Sequence, residues 1–179
     1  KVMKQYIIVP RDGFRALLER KYIAIRKAVL SDVADVAYNT GLPIQDIIDM
    51  KNHLFLNTRN LSVEGEPLRT LYLQADADIA YGWQKAQLGQ LTDSEKDWFK
   101  KLKDHELLEK KLMDEGMPLK DPSTWNPVKE EFDIDPSKNA HDKANVTAPQ
   151  PKTFPGHDMF KEYLENFDKE IYYCRCSVK

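Results

Sequence analysis

Apolar residues recur at three- and four-residue intervals over most of the first 116 positions, the spacing of helices with one buried stripe. After Asp12, the residues Phe14, Leu17, Leu18, Tyr22 and Ile25 form such a stripe. Ser31 is a suitable N-cap for a second helix through Val33, Val36 and Ala37, which Asn39-Thr40-Gly41 is expected to end. Pro43, at a tolerated first helical position, introduces a third with Ile44, Ile47 and Ile48 on its apolar face. Residues 57–74 lose the period and carry turn chemistry at Glu64-Gly65-Glu66-Pro67, so they predict loop or short extended segments. Helix resumes near Asp76, burying Ile79, Ala80 and Trp83, and stops at Gly89. Thr92-Asp93-Ser94-Glu95 then reads as a capping box, in which hydroxyl and carboxylate each satisfy a first-turn N–H. That helix is expected to run to about Glu115 and end at Gly116.

The pattern changes elsewhere. Residues 5–9, QYIIV, predict a short strand ending at Pro10. Seven of the ten prolines lie between Pro118 and Pro155, which rules out one regular element there. Leu119, Trp125, Val128, Phe132 and Ile134 are its apolar anchors, so the segment is expected to lie across the helical body. His157 to Asp168 predicts an amphipathic helix, and IYYCRCSV a terminal strand. The expected fold is mainly α: a single domain, 1–179, with a minor β element formed by the chain ends. It divides into a helical body (1–116), a proline-rich wrapping arm (117–155) and a C-terminal helix and strand (156–179).

Charge narrows the function. Lys plus Arg is 27 and Asp plus Glu is 29, a net charge of −2, which disfavours nucleic acid held by global charge. A nuclease would need a local basic groove, and Arg11, Arg15, Arg20, Lys21, Arg26 and Lys27 are the only dense supply. A helix-turn-helix reading of the first three helices fails on the third, PIQDIIDMKN, which is acidic where a recognition helix is basic. No apolar run approaches the roughly 20 residues of a membrane span. The chain starts at Lys1 without a signal peptide and reads as a piece of a longer precursor. Cys174 and Cys176 form C-x-C, which is neither a disulfide framework nor a thioredoxin-type motif; half-buried cysteines on a terminal strand, or half a metal site, are the two readings. No P-loop, G-x-S-x-G or G-x-G-x-x-G occurs.

One helix carries an anomaly. At about 100° per residue from Trp98, Leu102 lies near ~40° and Leu112 near ~320°, and His105 (~340°), Glu106 (~80°) and Glu109 (~20°) fall inside the same stripe. Charged side chains are rarely buried unless paired or bound to metal. His105 and Glu109 are i, i+4, so their tips converge as the two histidines of H-E-x-x-H do, with Glu106 in the place of the general base. Three readings stay open: a divalent metal, zinc first; metal-free acid/base chemistry; or a buried ion-pair network. In the metal reading His105, Glu109 and His141 are the ligands, with His53 as an additional candidate, and Glu106 and His105 are catalytic. His141 lies in a short helix-like insert that Ser137 would cap; His53 falls about 180° from Ile44 on an ideal wheel. His157 is expected to serve a helix N-terminus.

Several short motifs together resemble the C-terminal toxin domains of bacterial polymorphic toxins, secreted or phage-associated. They are Thr40-Gly-Leu-Pro-Ile-Gln-Asp46, Lys51-Asn-His-Leu-Phe55, Asp76-Ala-Asp-Ile-Ala-Tyr-Gly-Trp83, Gly89-Gln-Leu-Thr92, His105-Glu-Leu-Leu-Glu109 and Ala140-His141, covering roughly residues 14–145. The resemblance implies an antibacterial effector, delivered into a target bacterial cell as part of a larger protein, with a cognate immunity protein as partner. It places the site at His53, His105, Glu106, Glu109 and His141. The combined expectation is a toxin-like hydrolase, metal-dependent or a nuclease. The alternative from another class is a non-enzymatic helical interaction module of a larger phage or secretion protein.

Overall fold

In the computed structural model, residues 6–157 are described, together with Lys161 and Leu164. Asp12 caps the first helix, α1 (Gly13–Lys27), by accepting from the Arg15 N–H, and Leu18, Tyr22 and Ile25 are its buried stripe. α2 (Val33–Thr40) ends at Gly41, whose φ of 74° is the left-handed geometry that glycine adopts without a Cβ clash. Its N-cap position is held by Asp32 and not Ser31, whose hydroxyl donates to the Ala28 carbonyl. The Asp32 side chain makes no cap bond because Lys51, Trp83 and Gln87 draw it inward. α3 (Ile44–Lys51) has Pro43 one position earlier than expected, at its N-cap.

After α3 a π-helical turn, Asn52–Leu56, leads into an antiparallel hairpin of β1 (Thr58–Leu61) and β2 (Arg69–Tyr72). α4 (Ala77–Leu88) is capped by Asp76 and buries Ile79, Ala80 and Trp83, as the pattern predicts. The capping box forms at Thr92 and Glu95, and α5 (Asp93–Asp114) runs from it through the core. The arm holds a second small hairpin, β3 (Trp125–Asn126) with β4 (Glu131–Phe132), and a last helix, α6 (Ala140–Thr147). Among the described residues the fold is therefore mainly α, six helices with two small two-stranded sheets.

The first hairpin lies within residues 57–74, read from the sequence as loop or short extended segments, whereas the strand expected at the N-terminal end does not form among its described residues. Residues 6–9 form no strand; Tyr6 meets the Tyr72 ring edge-on and Ile8 packs against the core. β1 and β2 follow one another in sequence and pair with each other, which a short connection favours. The predicted C-terminal helix, apart from its first residue and two others, and the terminal strand with Cys174 and Cys176 lie outside the described residues.

The arm is fastened at some of the expected points and at one that was not expected: Leu119 packs against the core as anticipated. Trp125 and Phe132 pair edge to face, but Val128 and Ile134 are exposed, the former in the hairpin turn. The deepest anchor is Phe154, fully buried against Trp98 and Phe99. It lies so close to α4 that a Cβ on Gly82 would meet its ring at 2.9 Å. The arm's backbone is tied down by Trp98 Nε1 donating to the Lys152 carbonyl and by Phe154 N–H donating to Asp78. No helix of the described residues is long and apolar enough to cross a membrane.

Candidate functional site

α5 buries Trp98, Phe99 and Leu102, and the same stripe continues without interruption as His105, Glu106 and Glu109. Two other elements close over it. The π turn winds more loosely than an α-helix, so His53, Leu54 and Phe55 all face inward. Ile44 itself is half exposed, which makes the side opposite it an inward one. On the other flank, α6 presents Ala140 and Ala144, small side chains one turn apart that are fully buried against Leu112 and bring His141 to α5. Asn139, at the N-cap of α6 but without a capping bond, donates to Asp142 instead; Lys120 and the Asp135 N–H hold the same carboxylate. Ser137 does not cap the helix.

All five residues singled out in the sequence meet. Glu109 is the hub: His53 Nε2 lies 3.0 Å from its Oε1, and His141 Nδ1 and His105 Nε2 lie 2.8 Å and 3.1 Å from its Oε2. His105 Nε2 and His141 Nδ1 are 3.3 Å apart, and Glu106 sits 3.6 Å from His53. His53, His105, Glu106 and Glu109 are buried, while His141 is 27 % exposed and forms the solvent edge.

Neighbours absent from the sequence reading orient the rings. The Arg59 guanidinium donates to His53 Nδ1 at 3.2 Å and to Asp114 at 2.5 Å. The Asn145 amide nitrogen lies 3.1 Å from His141 Nε2, its oxygen being committed to the Gln150 N–H. His105 Nδ1 faces the Ala148 carbonyl at 2.8 Å. Asn145 stands at i+4 from His141, a spacing that would have flagged it; Arg59 sits in a strand with no local signal.

The two carboxyls are driven apart. Burial raises the Glu106 carboxyl well above its ordinary value, and the charges of Glu109 and Asp76 add to this, which favours its protonated form. Burial pushes Glu109 the same way, but hydrogen bonds from His105, His141 and His53 overcome it and hold Glu109 well below the usual range, ionised. Opposed titrations of adjacent carboxyls are the arrangement from which acid/base roles are built. Two trios also lie at distances that suit a cation, His105–Glu109–His141 and His53–Glu106–Glu109, with ligand atoms within 4.8 Å of one another. His157, by contrast, stacks on Tyr81 away from this cluster.

A surface groove of about 470 Å³ runs between the β1–β2 hairpin and the end of α5, lined by Thr58, Arg59, Asn60, Thr70, Met117 and Pro118 among others. Arg59 joins its wall to His53, and Pro118 accepts from the first N–H of α6. Comparison with protein-family models, curated proteins and solved structures gives no significant match.

Proposed function

We propose that this chain is the toxin-like hydrolase domain of an antibacterial effector, delivered as part of a larger protein and countered by an immunity protein. The observation that carries the catalytic part is the Glu109–His141 pair. The carboxylate accepts from Nδ1, and Nε2 stands at the solvent edge, the arrangement that orients a histidine base in nucleophilic hydrolases. In the reaction, Asn145 yields the Nε2 lone pair to a water, His141 takes its proton, and the water oxygen bonds to the substrate's electrophilic centre. The leaving group departs with the proton that His141 returns, while Glu109 stabilises the intervening imidazolium. Glu106, which retains its proton, supplies a neutral wall to this centre; the base role expected of it needs a cation beside it to expel that proton. The net charge of −2 favours a substrate other than nucleic acid. The sequence resemblance supports the effector context.

The test is growth of a bacterial host expressing the chain. Arrest that His141→Ala abolishes, in a variant still folded by circular dichroism, supports the reading, as does relief by the small neighbouring reading frame. Arrest that persists in His141→Ala, or no arrest, refutes it in favour of an interaction module.

A second reading has one observation in its favour. His105 Nε2, Glu109 Oε2 and His141 Nδ1 are mutually 2.8–3.3 Å apart, as ligands around one zinc ion would be. A bound zinc would supply an activated water, and Glu106 would then be ionised beside it. Metal analysis of the purified protein separates the readings, because activity in excess chelator belongs only to the first.

A further inference from the structure

A histidine that binds a metal gives the ion one ring nitrogen and donates the other N–H to a carbonyl or carboxylate. A neutral ring has one proton, so whatever faces the outer nitrogen decides what the inner one presents. His105 meets the metal-ligand requirement, with Nδ1 on the Ala148 carbonyl and Nε2 inward. The other two rings do not. His53 Nδ1 is faced by Arg59, a guanidinium that has donors and no acceptor. That nitrogen must offer its lone pair, which puts the proton on Nε2, against Glu109. His141 Nε2 is faced by the Asn145 amide nitrogen, whose orientation is fixed by the Gln150 N–H on its oxygen. Its proton is therefore on Nδ1, again against Glu109.

We propose that Arg59 and Asn145 are positioning residues that preset the tautomers of His53 and His141, so that both rings present N–H groups to Glu109 and the cluster stays closed to divalent metal. The inference deepens the reading of this cluster as a metal-independent centre and rests on it. Neither residue touches a reacting atom once the water is in place; each acts through the ring it fixes. Asn145 has an informative replacement. An aspartate there accepts instead of donating, which moves the His141 proton to Nε2 and turns the Nδ1 lone pair toward His105 Nε2 and Glu109. Asn145→Asp thus builds the carboxylate–histidine arrangement of a metal ligand at a half-exposed position, with one oxygen still able to accept from the Gln150 N–H.

The experiment is nitrogen-15 NMR of the histidine rings at neutral pH, combined with zinc chloride titration by calorimetry. In the wild-type protein the expected result is the Nε2–H form for His53, the Nδ1–H form for His141, and no zinc site filled at micromolar ion. In Asn145→Asp, His141 switches to Nε2–H and zinc binds more tightly by about 10–100-fold, the size of a second-shell effect. A wild-type chain with the opposite tautomer at either ring overturns the proposal, as does stoichiometric zinc at those rings. An Asn145→Asp protein whose His141 tautomer does not change also overturns it. The wild-type spectrum needs no variant to fold. Neither readout is activity, so a toxic His141→Ala would sink the proposed reaction and leave this inference standing, whereas an Nδ1–H form of His53 with an inactive His141→Ala would do the reverse.

Discussion

Two clusters of buried charge, one entered by Lys51 at the end of α3 and the other by His53 two residues later, are built differently. Beneath α2 and α4, fully buried Lys51 donates to Asp32 and to the Ile25 carbonyl, and the same carboxylate oxygen accepts from Trp83 and Gln87. Burial pulls Lys51 down, while for Asp32 these donors outweigh burial and leave the carboxylate below its ordinary value. The lysine is held against a carboxylate that its donors keep in the charged form. Around Glu109 the neighbours are three imidazoles, neutral or charged by a single proton, and a second carboxyl that burial raises well above its ordinary value. Burial of charge is common to both, so burial alone does not mark a site. Exchangeable protons held in opposed environments do.

Removing one member of each cluster sharpens the contrast. Lys51→Met leaves Asp32 buried without its cation and is expected to cost about 3–5 kcal/mol, measurable by urea unfolding. Activity per folded molecule should stay as in the wild type, and a selective loss of activity would merge the two clusters into one site. Glu109→Gln is the next largest change. It keeps the shape but removes the charge that three rings address, at a cost of about 1.5–3 kcal/mol for a charge-assisted bond, and it should abolish activity.

Glu106→Gln has a smaller effect that depends on pH. A raised carboxyl pKa contributes stability that is complete below the unfolded value of about 4.3 and is lost as pH rises through the folded one. Gln mimics the protonated form and removes that loss. The melting temperature of Glu106→Gln should therefore gain on the wild type as pH rises from about 5 to 8, with activity retained. Glu109 works in the opposite sense: its contribution is present above about 4.3 and fades as pH falls toward its lowered folded value. A Glu106→Gln protein that loses activity with its stability profile unchanged would favour the metal reading. The smallest effect is local. Limited proteolysis should cut first in the exposed turn of residues 127–130 and leave α5 intact, and early cleavage within 93–114 would contradict the central place of that helix.

Much of the site was legible because it lies on one element. The i, i+4 spacing of His105 and Glu109 and their place in the apolar stripe follow from helix geometry alone, and so does the capping box that sets the phase of α5. His53 resisted the same reading because its orientation depends on a π turn, and an ideal wheel has no π turn. Asn139 took the N-cap position expected of Ser137, although its side chain bonds Asp142, the Asp121 N–H and Thr124 rather than capping the helix.

Sequence by itself determined what local physics can decide: where α1, α4 and α5 begin, where α2, α4 and α5 end, which faces they bury, and that three ionisable groups on α5 would need partners. Only the tertiary structure decided who those partners are. A minor β element was expected from the chain ends; residues 6–9 form no strand and the C-terminal segment lies outside the described residues, while the described β structure comes from hairpins within residues 58–72 and 125–132, which short connections favour. Arg59 reaches His53 from a strand and Ala148 reaches His105 from an arm rich in proline, whereas Asn145 meets His141 within α6 itself. Periodicity describes one element at a time, whereas the state of a histidine proton depends on the atoms that other elements bring against both of its nitrogens.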